Sequence, residues 1–504
     1  MNSRENVVVV LKKNIFGYPS FPFNPPEKYL ELKSLPYKVE TDSRNRIYEA
    51  VRQMFFMYGL DHDNYGTEKW NPLSEIIKEG NIVVIKPNLV FHEHPLGKSA
   101  ALSTVTHASI IRPIIDYCLL ALKKRGEIII ADAPLQSADF IEICKLNGLF
   151  DLFRFYQKKL KNVKIKISLM DLRNKMLLRY ANGVFSRYVK LKGDPKGYVI
   201  IDLGKDSFHR EIDKFWKKYA VTGYDLDNLR RYHTNKIHSY FIARSILDAD
   251  VIISCPKLKT HKKAGITVAL KNFVGVNASK DFLPHYRAGI IDVGGDEYPR
   301  SSNFSSHIMS TIFQVAILKN LLHLLFSFRF FKRNLIQTYK KHSGSNRVKI
   351  SEGSWFGNDT LWRTILDLNI IMKYADKKGK LQSFPQRKFL FIVDGIIGQE
   401  GLGPMHGKPK KCGLLMLGSN PCAIDYVAAK IMGFEVKYLK QVIVPFEKRR
   451  RVRYPLVNFD LSEIRVISNI KRFKNIHILE RKDSLAFSAP NGWKVLEKRC
   501  RLND

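Results

Sequence analysis

The chain has 504 residues, of which 45% are hydrophobic and 26% are charged. These fractions are typical of a globular protein, and the length exceeds one ordinary domain and allows at least one large hydrophobic core. Its 84 lysines and arginines outnumber its 47 aspartates and glutamates, which gives a formal net charge of +37. That excess predicts attraction to polyanions, whether nucleic acid, an anionic lipid surface, or a phosphorylated or carboxylated small molecule.

The chain has few cysteines and no cysteine motif. Its six cysteines are Cys118, Cys144, Cys255, Cys412, Cys422 and Cys500. No two are spaced C-x-x-C, so neither a ferredoxin-type iron–sulfur cluster nor a zinc ribbon is encoded. So few cysteines in so long a chain favour a reducing compartment. Together with an N-terminus that has no apolar signal region, this predicts a cytoplasmic protein, with a membrane-peripheral location as the alternative.

One apolar segment, residues 306–331, is long enough to cross a bilayer. Charged residues such as Lys319 and Arg329 interrupt it. We therefore interpret the segment as a core helix or as an interfacial helix on an anionic lipid surface, with a transmembrane helix as the third possibility. The basic run at residues 448–453 is either a solvated face or a contact for phosphate or lipid.

Apolar runs alternate with helical periodicity along the chain. Strands are predicted at residues 7–10, 81–85, 127–130, 251–254, 388–393 and 414–417. Helices are predicted at residues 45–59, 106–124 and 422–432, with Thr106 as the N-cap of the second. This alternation predicts an α/β fold with a mainly parallel sheet and helices on both faces. The same pattern is compatible with two lobes and a cleft between them.

The pattern also predicts how the chain is divided. Residues 1–78 form an N-terminal part, residues 79–435 an α/β core, and residues 436–504 a basic C-terminal extension. Two stretches interrupt the alternation of the core, at about residues 151–245 and 290–385, and we interpret both as insertions.

Polar side chains follow four of the predicted strands. The first strand leads to Lys86 and Asn88, and the second leads to Asp132. The third ends in a dense cationic loop over residues 257–263, and the fourth opens a glycine-rich loop over residues 394–407. The carboxyl ends of parallel strands meet at one sheet edge, so we expect these groups to share one site.

Several short blocks resemble one protein family. The blocks are IKPNLV at 85–90, TH at 106–107, PKLKTH at 256–261, ALKN at 269–272, VDGIIGQEG at 393–401 and NPCAID at 420–425. In this order they resemble the signature of the domain of unknown function family 362 (DUF362). The resemblance implies a largely unassigned biochemical activity. Some members of that family are fused to iron–sulfur modules, for which this chain lacks the cysteines.

A second, more distant resemblance concerns a mechanism. His261, Gly265 and Lys271 form the pattern H-x3-G-x5-K, which follows Thr106 and His107. This pattern is similar to the active site of nickel-pincer-dependent lactate racemase. The resemblance implies that His107 and His261 exchange protons with the substrate and that Lys271 tethers a cofactor.

The candidate site residues fall into three groups. The predicted catalytic residues are His107, His261 and Asp132. The predicted anion-binding residues are Lys86, Asn88, Lys257, Lys259, Lys271, Asn272 and the glycines Gly395 and Gly398. Asp394 and Glu400 are predicted either to bind a metal ion or to pair with the lysines of the cationic loop.

These residues predict an enzyme that acts on a small anionic substrate by acid–base chemistry. Histidine suits such work because its ordinary pKa lies near neutrality. One alternative is a non-catalytic protein that binds a polyanion or a membrane surface. A second is a racemase-like or isomerase-like enzyme with a lysine-tethered cofactor. Nucleic acid is the less favoured partner, because no zinc finger or aromatic RNA-binding motif is present. The metal or cofactor, if any, stays open.

Overall fold

The computed structural model describes residues 4–179, 185–222, 224–300, 350 and 352–497. Within these ranges no helix is both long and apolar enough to cross a membrane. The apolar segment 306–331 lies outside the described residues, so its predicted core or interfacial position stays a prediction.

The described residues contain sixteen strands. They are β1 (Val7–Lys12), β2 (Ile82–Pro87), β3 (Arg125–Asp132), β4 (Lys164–Asp171), β5 (Lys175–Arg179), β6 (Phe185–Lys190), β7 (Tyr198–Asp202), β8 (Tyr219–Ala220), β9 (Ser239–Ala243), β10 (Val251–Cys255), β11 (Lys257–His261), β12 (Gly265–Thr267), β13 (Tyr286–Arg287), β14 (Lys388–Glu400), β15 (Lys408–Gly418) and β16 (Arg465–Ser468). All six predicted strands are present.

The same ranges contain twelve α-helices. They are α1 (Arg46–Met57), α2 (Lys98–Ala101), α3 (Ala108–Leu122), α4 (Phe140–Leu146), α5 (Leu149–Lys159), α6 (Leu226–Tyr232), α7 (Arg244–Leu247), α8 (Ala269–Asn272), α9 (Leu361–Tyr374), α10 (Pro421–Met432), α11 (Lys440–Glu447) and α12 (Lys471–Lys474). The three predicted helices correspond to α1, α3 and α10.

A ten-stranded sheet organises the fold, with the order β16-β1-β15-β14-β10-β2-β3-β4 and with β11 and β12 attached beside β14. The five neighbours β14, β10, β2, β3 and β4 run parallel to one another. Strand β15 runs antiparallel to both β1 and β14. The predicted α/β fold with a mainly parallel sheet is therefore confirmed.

Hydrophobic residues fill both faces of this sheet. In β1, Val8 and Val10 enter one core, whereas Val7, Val9 and Leu11 enter the other. This division follows from the two-residue period of a strand. Helices α1 and α3 pack on the second core, and α9 and α10 pack on the first. A sheet that is covered on both faces needs nearly continuous apolar strands, which is what the sequence contains.

The sheet joins the two ends of the chain. Strand β1, from the predicted N-terminal part, pairs with β16, from the predicted C-terminal extension. The basic run at 448–453 is partly neutralised, since Lys448 pairs with Glu211 and Arg449 pairs with Asp460. The boundaries between the three parts stay a prediction, although all three contribute strands to one sheet.

Two stretches that the sequence predicts to be loops are strands in the structure, so both predictions are wrong. Residues 257–261 form β11, are all buried, and pair with β12 and β14. The glycine-rich stretch does not begin as a loop at Asp394, because β14 continues to Glu400 and pairs with β15. A high density of charge and glycine suggested exposure, but neighbouring strands take up the backbone hydrogen bonds of both stretches.

The start of α3 also differs from the prediction by one residue. The N-cap is His107, whose Nδ1 accepts a hydrogen bond of 3.2 Å from the Ser109 N–H. The predicted cap, Thr106, instead donates its hydroxyl to the carbonyl oxygen of Cys255 at 2.6 Å. This contact fixes the start of α3 to the end of β10, beside the predicted site.

Three fully buried histidines pack together behind the sheet. The rings of His209, His233 and His238 lie with centroids 5.6–5.8 Å apart. Neither nitrogen of His238 has a hydrogen-bond partner among the described residues. Burial lowers the pKa of His233 to about 3 and that of His238 to about 4, so both rings are neutral at pH 7.

We expect this cluster to make the protein sensitive to acid. The unfolded chain protonates His238 near its ordinary pKa of 6.5, whereas the folded protein does so only near pH 4. Between these values the unfolded state binds more protons, so the free energy of unfolding falls as the pH falls. At about 1.4 kcal/mol per pH unit, the protonation of His238 alone should lower the free energy of unfolding by roughly 2 to 3 kcal/mol across this window. Urea unfolding at several pH values measures it.

The variant His238→Gln removes this titration and should reduce the slope of the pH dependence between pH 6.5 and pH 4, to which the other buried histidines still contribute. His62→Gln removes an exposed imidazole outside the cluster and is the matched control. Equal slopes for wild type and His238→Gln would contradict the assignment.

Candidate functional site

A buried ion pair joins the ends of β2 and β3. Lys86 Nζ lies 2.7 Å from Asp132 Oδ1, and both side chains are almost completely buried. The second oxygen of Asp132 accepts the Leu89 N–H at 2.7 Å. Asp132 is therefore fully engaged in holding Lys86 and the chain after β2. Its geometry assigns it a positioning role rather than the predicted catalytic one.

Two asparagines complete this first group. Asn88 Nδ2 donates to Asn272 Oδ1 at 3.1 Å, and Lys86 Nζ lies 3.3 Å from the same oxygen. Asn272 Nδ2 donates to Ser254 Oγ at 2.9 Å, which ties α8 to β10. Asn88 Oδ1 is buried and accepts no hydrogen bond from the described residues. A buried acceptor of this kind is uncommon and marks a place where a ligand or water donor would be favourable.

A second buried ion pair lies at the adjoining strand end. Lys257 Nζ lies 3.0 Å from Asp394 Oδ2 and donates to the Tyr18 hydroxyl at 2.6 Å. The Tyr18 hydroxyl in turn donates to Asp394 Oδ1 at 2.8 Å. The His107 N–H donates to Asp394 Oδ2 at 3.1 Å. Asp394 thus pairs with a lysine of the cationic stretch. Of the two predicted alternatives, a metal ion or an ion pair, the structure has the ion pair.

His107 packs tightly within this second group. Its ring stacks on Tyr18 with centroids 4.1 Å apart, and Phe23 contacts it edge-on. Burial and the charge of Lys257 lower the pKa of His107 to about 3. A neutral, stacked ring that also caps α3 stabilises this corner of the site, and its surroundings do not favour the imidazolium form that proton transfer would need.

Lys259 lies on the same strand as Lys257 and has no acidic partner among the described residues. Its side chain is completely buried, and Nζ donates to the carbonyl oxygen of Thr104 at 2.6 Å. Burial, followed by the charges of Lys271 and Lys257, lowers the pKa of Lys259 well below its ordinary value. Residues 257, 259 and 261 alternate along β11, so their side chains lie on one face of the strand apart from a local irregularity.

Three further cations belong to the same group, since the charge of Lys271 acts on Lys259 and Lys280 and that of Lys263 acts on Lys271. Lys263 is buried, and its Nζ lies 3.4 Å from Glu352 Oε2. This ion pair lowers the excess of positive charge in the group but does not remove it. Lys280 is buried and donates to the carbonyl oxygens of Ala133 and Val274 at 2.9 and 3.3 Å. Lys271 is half-buried. Desolvation is the main reason why the pKa falls to about 8 for Lys263 and Lys271 and to about 7 for Lys280.

Six lysines therefore meet three carboxylates at this sheet edge. Three ion pairs account for half of the lysines, namely Lys86–Asp132, Lys257–Asp394 and Lys263–Glu352. The other three lysines have no carboxylate within ion-pair distance in the described part of the chain: Lys259, Lys271 and Lys280. We refer to these three as the unpaired lysines. Burying an ammonium group without a counter-charge is costly, so the arrangement favours an anion between them.

Two histidines lie among the unpaired lysines. His261 Nδ1 accepts the Lys263 N–H at 3.1 Å, so the neutral ring carries its proton on Nε2. His285 Nδ1 lies 2.7 Å from the carbonyl oxygen of Leu283, so that nitrogen donates and Nε2 keeps a free lone pair. Burial and the lysines lower the pKa of both rings, to about 3 for His285. The two rings thus offer one donor and one acceptor nitrogen.

Buried contacts fix the position of Lys271. Helix α8 carries both Lys271 and Asn272, and Asp425 accepts the Ala269 N–H at its start at 2.7 Å. Asn369 Nδ2 donates to the carbonyl oxygen of Leu270 at 2.9 Å. Burial raises the pKa of Asp425 to about 8. A four-residue helix is not stable alone, so α9 and α10 hold it in place through these two side chains.

The glycines of the site differ from the prediction. Gly395 and Gly398 lie inside β14, where a Cβ atom would come within 2.8 Å of Leu414 O and 3.0 Å of Leu258 O, respectively. They allow neighbouring strands to approach and do not present free amides to an anion. The glycine whose backbone closely approaches a side chain of the site is instead Gly275, where a Cβ atom would lie 1.9 Å from Asp132 Oδ1.

The predicted metal site is not supported by the geometry. Six positions of one strand separate Asp394 from Glu400, roughly 20 Å at about 3.3 Å per residue, so they cannot bind one ion together. Glu400 pairs with Lys410 at 2.9 Å instead. Across the described ranges, no group of three histidine, cysteine or acidic side chains could hold a metal ion.

Sequence reasoning missed four contributors to the site: Tyr18, Lys263, Lys280 and His285. Lys263 belongs to the cationic stretch and could have been included on that ground. Tyr18 lies in an irregular segment far away in the chain, and no local pattern connects it to β11.

A family comparison agrees with this architecture. The family described as Domain of unknown function (DUF362) matches residues 209–430. The chain carries a DUF362 domain. The matched range includes β11, α8, β14 and the start of α10, whereas Lys86, His107 and Asp132 precede it. Strands β2 and β3, which belong to the same sheet, lie outside the match.

Two further comparisons are more limited. A thylakoid-associated protein from Synechocystis sp. is 46% identical over 43 residues, which are 8% of this chain and 13% of that protein. A crystal structure of a protein from Thermotoga maritima covers 74% of this chain and 55% of its own at 10% identity, with a TM-score of 0.27. Similarity at these levels carries no functional argument. The resemblance to lactate racemase stays a prediction.

The Lys86–Asp132 pair can be tested directly. Asp132→Asn keeps the shape of the side chain but leaves the Lys86 ammonium buried without a counter-charge. We expect a loss of about 3 to 5 kcal/mol in the free energy of unfolding, because breaking a buried pair on one side is strongly destabilising. Urea unfolding measures it.

The double variant Lys86→Met with Asp132→Asn removes both charges and should recover much of that loss. Glu142→Gln breaks the exposed pair with Lys145 and serves as the control, with an expected change below about 1 kcal/mol. If Asp132→Asn lowers the free energy of unfolding as little as the control does, Lys86 needs no buried counter-charge.

Proposed function

We propose that this protein is an enzyme that binds a small anionic substrate among the unpaired lysines and transfers protons at that substrate. The observation that carries the proposal is the excess of buried positive charge around Lys259. Natural proteins rarely bury ammonium groups without partners, and strongly shifted pKa values next to titratable neighbours are typical of functional sites.

The substrate would supply the missing negative charge. A carboxylate or phosphate beside Lys271, whose charge acts on both Lys259 and Lys280, would accept charge-assisted hydrogen bonds, which are stronger than those to neutral acceptors. The half-buried Lys271 and His285 give the cluster access to solvent. The free oxygen of Asn88 offers an additional acceptor for a substrate hydroxyl.

His261 and His285 would carry the acid–base chemistry. Burial and the nearby ammonium groups keep both rings neutral, with Nε2–H on His261 and a free Nε2 on His285. A bound anion would raise the pKa of both rings, because negative charge favours the imidazolium form. Substrate binding would therefore make both rings better proton acceptors.

The role of Lys259 separates function from stability. Lys259→Met keeps the length of the side chain and removes a buried, unpaired charge. We expect the melting temperature without added anion to be equal to or higher than that of wild type, because sites built for function are often destabilised. We also expect the stabilisation of wild type by phosphate or pyruvate to be lost. Thermal unfolding with each anion, at constant ionic strength, measures both effects.

Lys378→Met is the matched control, because Lys378 is exposed and its loss changes the net charge by the same amount. This variant should respond to anions as wild type does. A Lys259→Met protein that keeps the anion response, or a wild-type protein without one, would contradict the proposed function.

A further inference from the structure

The six lysines of the site differ in what their ammonium groups contact. Lys86, Lys257 and Lys263 have carboxylate partners, and Lys259 and Lys280 donate to backbone carbonyls. Lys271 has neither kind of partner within the described ranges. It is also the half-buried member of the set.

These properties are those of a nucleophilic amine. An amine attacks only in its neutral form, and a lysine becomes neutral near physiological pH when it is desolvated beside other cations. Desolvation, followed by the charges of Lys263 and Lys86, lowers the pKa of Lys271 to about 8. The anchoring of α8 by Asp425 holds the amine in one position.

We propose that Lys271 Nζ forms a Schiff base with a 2-oxo acid whose carboxylate is held by the unpaired lysines Lys259 and Lys280. The inference rests on the proposed function, because it uses the same anion site. A 2-oxo acid fits because its carboxylate and its carbonyl carbon are adjacent. The first supplies the missing negative charge, and the second presents an electrophile to the amine.

The reaction needs no oxidant or reductant. The lone pair of the neutral amine attacks the carbonyl carbon and forms the C–N bond, while the carbonyl oxygen takes a proton and the nitrogen loses one. Protonation of the resulting hydroxyl group lets it leave as water, and the nitrogen lone pair forms the C=N bond. Overall, one amine, one 2-oxo acid and one proton give a protonated imine and one water. His261 and His285 can donate and accept these protons.

Trapping with borohydride tests the proposal on the full-length protein. Pyruvate and sodium borohydride should add one group whose mass equals pyruvate minus water plus two hydrogens. Peptide mapping should locate this group on Lys271. The adduct should form at about pH 8, near the pKa of Lys271, whereas surface lysines need a more alkaline solution to react.

Lys271→Arg is the main comparison, since arginine keeps the positive charge but provides no nucleophilic amine. It should melt like wild type and lose the adduct, whereas Lys378→Arg should keep the adduct. An adduct that persists in Lys271→Arg, or that is spread evenly over surface lysines, overturns the proposal.

The two proposals can fail separately. Stabilisation of wild type by pyruvate or phosphate without an adduct on Lys271 overturns the Schiff base and leaves the anion site intact. Absence of any stabilisation by these anions contradicts the anion site itself.

Discussion

Uncompensated positive charge at one edge of the sheet is the constraint on which the site depends. Lys259 and Lys280 are buried and, within the described part of the chain, donate only to backbone carbonyl oxygens. Folding must therefore supply enough apolar burial elsewhere to offset their desolvation. The two hydrophobic cores on the faces of the sheet provide that burial, and the three ion pairs limit the excess charge to three ammonium groups. An anion would remove the remaining cost.

The sheet topology turns this charge into a defined geometry. Strand β11 follows β10 and pairs with β14, so Lys257 forms an ion pair with Asp394. Lys259 lies two residues further along β11, where its charge acts on His261. Helix α8 then brings Lys271 back to the same edge, held by Asp425 from α10. Polar side chains on rigid elements keep their positions better than side chains on loops, which suits a site that has to orient a substrate.

The sequence predicted the sheet well because its strands are nearly continuous β-branched runs, such as residues 7–10 and 251–254. The same parallel arrangement is the basis for the prediction that the strand ends near Asn88, Asp132, His261 and Asp394 share one edge of the sheet. Sequence reasoning failed for β11. Lysine is almost never fully buried, so the alternation of Lys257, Lys259 and His261 suggested a loop. Pairing with Tyr18 and His285 depends on long-range packing, which local patterns do not report.

The most direct measurement of the central claim is the NMR titration of the lysine side chains, assigned with Lys259→Met and Lys271→Arg. Without added anion, the account predicts that Lys271 titrates near pH 8, below the surface lysines. Added phosphate should raise this pKa, because a bound negative charge favours the ammonium form. If Lys271 titrates near about 10.4 with the surface lysines, with or without phosphate, the cluster holds no uncompensated charge and the account is wrong.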